Sequence, residues 1–402
     1  MLYDPGRHEP LQARPWDAAR ARAAIEQIVQ GTEAAFSPEG YWPVHPRDSE
    51  GRSTEPFHCL YFGACGVIWA LHYLRALGFA TLKRDYRASI DPLVPALRNW
   101  LGKDWARDGA SYMMGESSVL LLKYWLAPGE ATAKRLEEVI AGNIDNPTRE
   151  LMWGAPGTAL AALFMHEHTG EAKWADAFRA NVRKLESQLL WSEEHECSYW
   201  TQDMYGHNTT YIDAVHGFVA TAFVIIRGRE LLDAGERDGW MKTIATTIRR
   251  TAIQEDGLAN WPGFLYPPRQ GMTPLVQFCH GAPGFVICLG DFTGHELDDL
   301  LLAGAELTWK AGPLTKGANL CHGTGGNGYA FLTLYKRTGD AMWLERARAF
   351  AMHAIAQSEA DAKEHGQLRH SLWTGDPGLA VYLADCIREE AAFPTMDVFF
   401  GT

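Results

Sequence analysis

The sequence predicts an all-α protein built from repeated pairs of helices. Seven glycine signatures, most of the form Gly-x-x-Gly, each precede an apolar run of helical length. Two stretches, HTGEAKWADAFRA at 168–180 and RTGDAMWLERARA at 337–349, share a Thr-Gly-acid turn and a Trp three residues after the acid. Between these units there are no convincing alternating runs that predict strands, although there is room for a short hairpin.

The glycine signatures define the repeat. Successive first glycines are separated by 52, 39, 63, 64, 42 and 52 residues, at Gly63, Gly115, Gly154, Gly217, Gly281, Gly323 and Gly375. Each interval has room for two helices, and Thr-Gly suits the end of one helix while the acid suits the start of the next. Such pairs stack as an open solenoid or close into a ring, in which all signatures meet at one end of the cavity.

Composition limits the class of protein. The chain has 402 residues, 47% of them hydrophobic and 21% charged, which is typical of a globular protein. A net charge of −12 argues against non-specific nucleic-acid binding. Neither a signal peptide nor a membrane-spanning run is recognisable, so a cytoplasmic location is expected. We expect a single domain over 1–402, with a repeat core at about 55–390 and an N-terminal helical segment at 1–54.

Two of the seven cysteines stand out from the rest. VQFCHGAPGF at 276–285 and NLCHGTGGNG at 319–328 place Cys279 and Cys321 at equivalent positions, each followed by His. In a ring, Cys279, Cys321 and His322 come to neighbouring turns. The odd number and wide scatter of the cysteines do not predict a disulfide framework. The other five are expected to be small buried apolar residues: Cys59, Cys65, Cys197, Cys288 and Cys386.

Two thiolates and one imidazole suit zinc and leave a fourth tetrahedral position open. If both histidines bind, the site is closed and structural. In the open site, the two thiolates cancel the charge of the ion, so a thiol entering the fourth position loses its proton yet remains nucleophilic. Thiol activation is therefore the favoured chemistry. Redox disulfide chemistry is less favoured because the chain has no Cys-x-x-Cys.

The stretches LVQFCHGAPGF, LCHGTGGNGYAFLTLY, AVHG and ELMWGAPGTALAALF resemble the lanthionine synthetase C-like (LanC-like) family, over roughly residues 55–390. The resemblance implies an α/α toroid of about seven inner and seven outer helices, with Zn²⁺ held by Cys279, Cys321 and His322. It also implies a reaction, the conjugate addition of a thiol to dehydroalanine or dehydrobutyrine residues of a peptide or protein.

The resemblance also assigns catalytic roles. His216 matches the family's active-site histidine and is the candidate acid/base. Glu150 lies four residues before Gly154, where it is expected to assist proton transfer or orient a neighbour. His280 is expected to hydrogen-bond the enolate or to support the site from outside. His280 and Leu275 stand where ring-forming cyclases commonly have Tyr and Arg, which favours glutathione addition over lanthionine formation.

Other features concern the cavity mouth and competing functions. The polar, aromatic segment 191–213 is predicted to be a long loop over the mouth, and 261–273 another part of the rim. Arg269 is a weak candidate for binding an anionic thiol. The alternative function is a non-catalytic, zinc-stabilised module that binds a peptide or protein. A sugar-processing toroid is a third possibility, which the Cys-Cys-His set disfavours.

Overall fold

The computed structural model describes residues 1–49, 55–269 and 271–401. Its helices are α1 (Ala18–Ala35), α2 (Pro46–Ser49), α3 (Ala64–Ala76), α4 (Leu93–Leu101), α5 (Trp105–Asp108), α6 (Glu116–Leu126), α7 (Glu130–Gly142), α8 (Ala155–Thr169), α9 (Ala172–Ser187), α10 (Phe218–Arg227), α11 (Ala234–Thr251), α12 (Ala282–Leu289), α13 (Asp298–Ala311), α14 (Thr324–Thr338), α15 (Ala341–His365) and α16 (Asp376–Arg388). Its strands are β1 (Leu190–Ser192), β2 (Cys197–Tyr199), β3 (Gln202–Met204), β4 (His207–Thr209), β5 (Ile253–Glu255) and β6 (Leu258–Asn260). Part of the predicted N-terminal segment (50–54) and one residue of the predicted rim (270) lie outside this description.

Each glycine signature starts a helix, as predicted. The helices that begin directly after a first glycine are α3, α6, α8, α10, α12, α14 and α16. A Cβ added to Gly154 would lie 2.7 Å from the backbone nitrogens of Arg149 and Glu150, so only glycine fits this start. A Cβ added to Gly157 would lie 2.2 Å from the carbonyl oxygen of Leu151. The helix therefore begins in direct backbone contact with the turn that precedes it.

The two kinds of helix differ in burial, which follows from their sequences. Every residue of α12 is buried, and α10 is buried from Phe218 to Ile226. Helix α9 instead buries one stripe that includes Trp174, Phe178 and Val182, and it leaves charged residues on the other side. Within the described ranges, no helix is both long enough and apolar enough to cross a membrane.

The Thr-Gly-acid turns are built alike. Gly170 and Gly339 end α8 and α14 in the left-handed conformation, with φ of 70° and 71°. The Thr169 hydroxyl donates to the carbonyl oxygen of Met165 at 2.7 Å and accepts from the backbone N–H of Glu171 at 3.2 Å. Thr338 makes the same pair of bonds. The sequence prediction of a glycine cap between paired helices is confirmed at both places.

Contacts divide the chain into two compact units. The first comprises Met1–Gly6, Ala110–Tyr112 and Lys134–Ala311. In it α8 packs on α9 and α10, while α12 packs on α10 and α13. Its core includes stacked aromatic rings: Trp261 lies on Phe285 with centroids 4.3 Å apart, and Trp200 stacks on Phe218 at 5.1 Å.

The second unit comprises Arg7–Gly109, Met113–Ala133 and Gly312–Thr402. Here α14 packs on α15, and α16 contacts α1, α3, α14 and α15. The fully buried rings of Trp373 and Trp69 lie in this core, with Trp373 stacked on Tyr61 at a centroid distance of 5.8 Å. The assignment of the whole chain to one domain stays a prediction.

The segment predicted as a long loop, 191–213, contains most of two antiparallel hairpins, β1–β2 and β3–β4. A third hairpin, β5–β6, precedes the predicted rim segment. Its turn residues Asp256 and Gly257 have φ of 53° and 76°, the left-handed pair that a two-residue hairpin requires. The strands are three residues long, so alternation along them is too brief to be recognised in the sequence.

Candidate active site

The turn before α8 carries Glu150, whose side chain is fully buried. Its carboxylate accepts a hydrogen bond from the backbone N–H of Trp153 at 2.5 Å and another from that of Met152 at 3.0 Å. It also pairs with Nδ1 of His216 at 2.8 Å. The carboxylate therefore closes its own turn and anchors the imidazole predicted to be the acid/base.

His216 is held so that one ring nitrogen is fixed and the other is left for chemistry. Because an ionised carboxylate only accepts, Nδ1 carries the hydrogen of the His216–Glu150 bond, and Nε2 is the atom that can exchange a proton. The side chain is 17% exposed, so a small reactant can reach it. The structure thus brings together two of the three predicted catalytic residues.

The residue directly before each member of this pair has a strained backbone conformation. Arg149, just before Glu150, has φ of 49°, and Val215, just before His216, has φ of 73°. The left-handed region is unfavourable for a β-branched residue such as valine, at a cost of about 1–3 kcal/mol. The backbone N–H of Leu151 donates to the carbonyl oxygen of Val215 at 3.1 Å, which ties the two turns together. Strain of this kind is typical of functional sites.

The third predicted catalytic residue, His280, belongs to a second pair of the same type. Its Nδ1 bonds to the carboxylate of Asp213, which is fully buried. Burial raises the pKa of Asp213, and the neighbouring imidazole partly opposes this rise. A Cβ added to Gly263 would lie 3.2 Å from the carboxylate, so this backbone passes close to the pair. Asp213 was not among the residues predicted from the sequence.

The ring of Tyr211 lies near both pairs. Its centroid is 5.6 Å from that of His216 and 6.2 Å from that of His280. Burial, followed by the charges of Asp213 and Glu150, raises the pKa of the Tyr211 phenol, so this group stays neutral and can donate a hydrogen bond. The first unit therefore holds two imidazoles that are anchored by carboxylates, and the phenol of Tyr211 lies close to both.

The repeat explains why these residues occur where they do. The residue four positions before each first glycine is buried in all seven turns: Cys59, Ser111, Glu150, Asp213, Gln277, Asn319 and Ser371. The residue directly before the glycine varies: Phe62, Met114, Trp153, His216, His280, His322 and Thr374. Five of the seven turns lack a carboxylate at the first position, whereas Glu150 and Asp213 occupy it in the two turns that anchor His216 and His280. This register was the signal that could have found Asp213.

The predicted zinc ligands occur in both units, and each is supported locally. In the first unit Cys279 is buried, and the side-chain amide of Gln277 donates to its sulfur at 3.0 Å. In the second unit the hydroxyl of Tyr61 donates to the sulfur of Cys321 at 2.8 Å. The backbone N–H of His322 donates to the side chain of Asn319 at 3.0 Å. The two donors that bond to sulfur, from Gln277 and Tyr61, favour the thiolate form that zinc requires.

A cavity of about 460 Å³ in the second unit is lined by His322 and Tyr61 together with three cationic side chains, Arg47, Lys316 and Arg369. Arg369 donates through Nε to Asp48 at 2.9 Å, and Thr374 donates to the same carboxylate at 2.9 Å. Arg47 lies 3.0 Å from Asp361. Lys316 therefore contributes positive charge to the cavity that no described carboxylate offsets. Arg269, the cation that the sequence analysis selected, is exposed on the first unit.

Another group of possible metal ligands, His45, Asp361 and His365, lies within the second unit. Nδ1 of His45 accepts a hydrogen bond from the backbone N–H of Arg47 at 3.2 Å, so its proton is on Nε2, the nitrogen that faces Asp361. A metal would need that nitrogen unprotonated. The Arg47 guanidinium already neutralises the carboxylate. We therefore interpret this group as a cluster of charges organised by the ion pair of Arg47 with Asp361.

These features define a class of protein: a repeat of paired helices whose helix-start turns carry cysteines and carboxylate-anchored histidines. The sequence model of the family described as "Lanthionine synthetase C-like protein" matches residues 58–398. The chain belongs to this lanthionine synthetase C-like family, as its motifs predict.

Individual relatives agree with this assignment. The chain is 28% identical over 260 residues to "Glutathione S-transferase LANCL1" of Danio rerio, which covers 62% of each chain. It is 28% identical over 212 residues to "LanC-like protein GCL1" of Arabidopsis thaliana, covering 51% of this chain and 46% of the relative. The matched region thus spans about half to three fifths of these curated relatives.

A solved structure shows the fold. The chain is similar to nisin cyclase with a TM-score of 0.61 and 14% identity, over 92% of this chain and 94% of that chain. The fold is therefore an α/α toroid, and the predicted all-α toroid class is confirmed.

Proposed function

We propose that this protein is a zinc-dependent enzyme that adds a thiol to dehydroalanine or dehydrobutyrine residues of a peptide or protein. Glutathione is the favoured thiol, and lanthionine formation within one peptide is the second possibility. The observation that carries the proposal is the cationic cavity of the second unit, because it is lined by a predicted zinc ligand, His322. The expected cytoplasmic location agrees with this choice, since glutathione is the abundant small thiol of that compartment.

The zinc ligands in this proposal are Cys279, Cys321 and His322. The donor set fits the ion, since cysteine sulfur and neutral imidazole are its usual ligands. Each sulfur accepts a hydrogen bond, from Gln277 and from Tyr61 respectively, in the manner of the outer groups that orient metal ligands. When bound, Zn²⁺ lowers the pKa of an incoming thiol, while the two cysteinates leave the resulting thiolate nucleophilic.

The charge of the cavity supports an anionic thiol. Lys316 carries positive charge that no described carboxylate offsets into a space of about 460 Å³, and the guanidinium groups of Arg47 and Arg369, each paired with a carboxylate, also line it. Glutathione carries two carboxylates, and carboxylates bind such groups through charge-assisted hydrogen bonds. A neutral or cationic thiol gains nothing from them. The name of the Danio rerio relative, a glutathione S-transferase, agrees with this choice.

The histidines of the first unit supply the proton steps. As the sulfur bonds to the β-carbon, the π bond between the α- and β-carbons of the dehydroamino acid breaks and its electrons pass to an enolate. Nε2 of His216 takes up the proton that the thiol loses and donates it to the α-carbon, while Nδ1 stays bonded to Glu150. The second imidazole, His280, donates a hydrogen bond that stabilises the enolate oxygen. Asp213 holds this ring in place.

One experiment separates this function from a non-catalytic, zinc-stabilised binding module. The purified protein is incubated with a dehydroalanine peptide and glutathione, and the adduct is followed by mass spectrometry. We expect catalysed adduct formation in the wild type and its loss in Cys321→Ala, together with the loss of one zinc. If the wild type holds one zinc and forms no more adduct than buffer, the binding module is correct.

A matched variant controls for general damage. Cys288→Ala removes a sulfur that is also buried, on α12, but that belongs to no predicted ligand set. It should retain both zinc and activity. A dehydrated peptide with its own cysteine then distinguishes ring formation from intermolecular addition. In the absence of added thiol, only ring closure gives a product of the same mass whose cysteine no longer reacts with an alkylating reagent.

A further inference from the structure

A second cationic cavity lies in the second unit, apart from the residues assigned above. It has a volume of about 470 Å³ and is lined by Arg75, Lys83, Arg84 and Arg87, with Asp85 as its one charged residue of opposite sign. These give it a net charge of +3 on a protein whose net charge is −12. Asp85 pairs with Arg87, with Oδ1 3.0 Å from Nε. Among the described residues, no carboxylate forms an ion pair with the other three cations.

The floor of this cavity is a buried histidine. His72 lies on α3, is 2% exposed and has no hydrogen-bond partner for either ring nitrogen among the described residues. Its ring edges contact Tyr86 and Trp125, with centroids 6.2 and 6.3 Å away. Burial lowers its pKa to about 4, so the ring is neutral.

The loop that carries the cations is fixed to the core by another buried side chain. Glu33, which is 3% exposed, accepts hydrogen bonds from the backbone N–H of Lys83 at 2.9 Å and from that of Arg84 at 3.3 Å. It also accepts one from the hydroxyl of Tyr86 at 3.3 Å. Because both backbone positions are tied to α1, the two cations start from a defined place at the cavity edge. The site is thus organised before any ligand arrives.

We propose that this cavity binds a phosphate group, with the side chains of Arg75, Lys83 and Arg84 around its oxygens and the buried ring of His72 beneath it. Phosphate matches several cationic donors better than a single carboxylate does, because it has more charge and more acceptor oxygens. The thiol-addition chemistry proposed above uses none of these residues. The cavity has room for a small phosphomonoester as well as for inorganic phosphate.

Isothermal titration calorimetry in chloride buffer, first with inorganic phosphate and then with glycerol 3-phosphate, tests the proposal. We expect saturable binding of one equivalent, weakened about tenfold or more in the double variant Lys83→Gln/Arg84→Gln, which loses two charge-assisted contacts. Tighter binding of glycerol 3-phosphate than of inorganic phosphate would identify a phosphomonoester as the ligand. Equal or weaker binding of glycerol 3-phosphate would identify the free anion.

Two control variants make the outcome decisive. Arg237→Gln/Lys242→Gln removes two cations from another surface cavity, where carboxylates also line the wall, and should bind phosphate like the wild type. Lys316→Gln, which removes a cation from the cavity that His322 lines, should also bind phosphate like the wild type. The proposal is wrong if phosphate does not bind, if all variants bind equally, or if Lys316→Gln alone abolishes binding, since the anion would then occupy the other cationic cavity. None of these results depends on thiol-addition activity.

Discussion

Replacing Glu150 with Gln tests whether the charge of this side chain, and not only its shape, organises His216. The carboxylate accepts from three donors, namely Nδ1 of His216 and the backbone N–H groups of Met152 and Trp153. The amide of Gln has nearly the same size but only one acceptor oxygen. Whichever way this amide turns, at least one of the three donors faces an N–H group in place of an acceptor.

The contacts set the size of the effect. One buried donor left without an acceptor costs about 1–3 kcal/mol of unfolding free energy. If the amide oxygen stays on His216, that bond changes from charge-assisted, about 1.5–3 kcal/mol, to neutral, about 0.5–1.5 kcal/mol. The loss of about 1 kcal/mol in stabilising the charged imidazole corresponds to about a fivefold fall in kcat.

Both quantities are measurable on the same protein. Urea unfolding gives the change in stability, and the rate of adduct formation at saturating glutathione gives kcat. Glu116→Gln is the matched control, because Glu116 is also buried and is the first residue of α6. The reasoning is refuted if Glu150→Gln keeps the kcat and stability of the wild type, or if Glu116→Gln lowers kcat equally.

Three further outcomes are expected. Gly157→Ala should lower the unfolding free energy in urea by about 1–3 kcal/mol, because the added methyl would meet a carbonyl oxygen at 2.2 Å, whereas Gly129→Ala, which enters open space, should not. Burial raises the pKa of Asp385 from 3.8 to about 7, because the folded protein favours the neutral carboxyl group. The stability that this preference contributes is fully present below pH 3.8 and is lost as the pH rises through 7. The thermal midpoint of the wild type should therefore fall over this range more than that of Asp385→Asn, and parallel profiles would contradict the assignment. Tyr61→Phe removes the donor to Cys321 and should weaken zinc retention in a chelator titration about tenfold, with unchanged retention as the contrary result.

The starts of the signature helices were predictable because glycine is required there by contact within one turn. The backbone clash at Gly154 involves residues only four and five positions earlier, so the sequence contains both partners. The same holds for the Thr169 turn, where every bond is local. Features of this kind can be recognised without knowing the tertiary structure.

The site was predictable only in part. His216, Glu150 and His280 were predicted through the family motif, and the repeat register would have added Asp213 to the candidates, since it stands four residues before its glycine as Glu150 does. Tyr61 was not predictable in this way. Its hydroxyl meets Cys321 across 260 positions of sequence, and no motif relates the two.

The hairpins show a different kind of limit. The Asp256–Gly257 pair is the strongest short-range hairpin signal, and it was available in the sequence. The flanking strands of three residues carry no recognisable alternation, so the turn signal had no support from its surroundings. Strands as short as these are stabilised by neighbouring elements, such as the contacts of β2 with α11 and of β6 with α13.

The repeated turn makes the side chains at the helix starts suitable positions for redesign. In each turn the position four residues before the glycine is buried, whereas the position directly before the glycine is His in three turns and Phe, Met, Trp or Thr in the others. Met114 and Trp153 stand where other turns present an imidazole. New side chains can therefore be installed there one turn at a time, while the glycine and the buried partner of that turn keep the helix start intact.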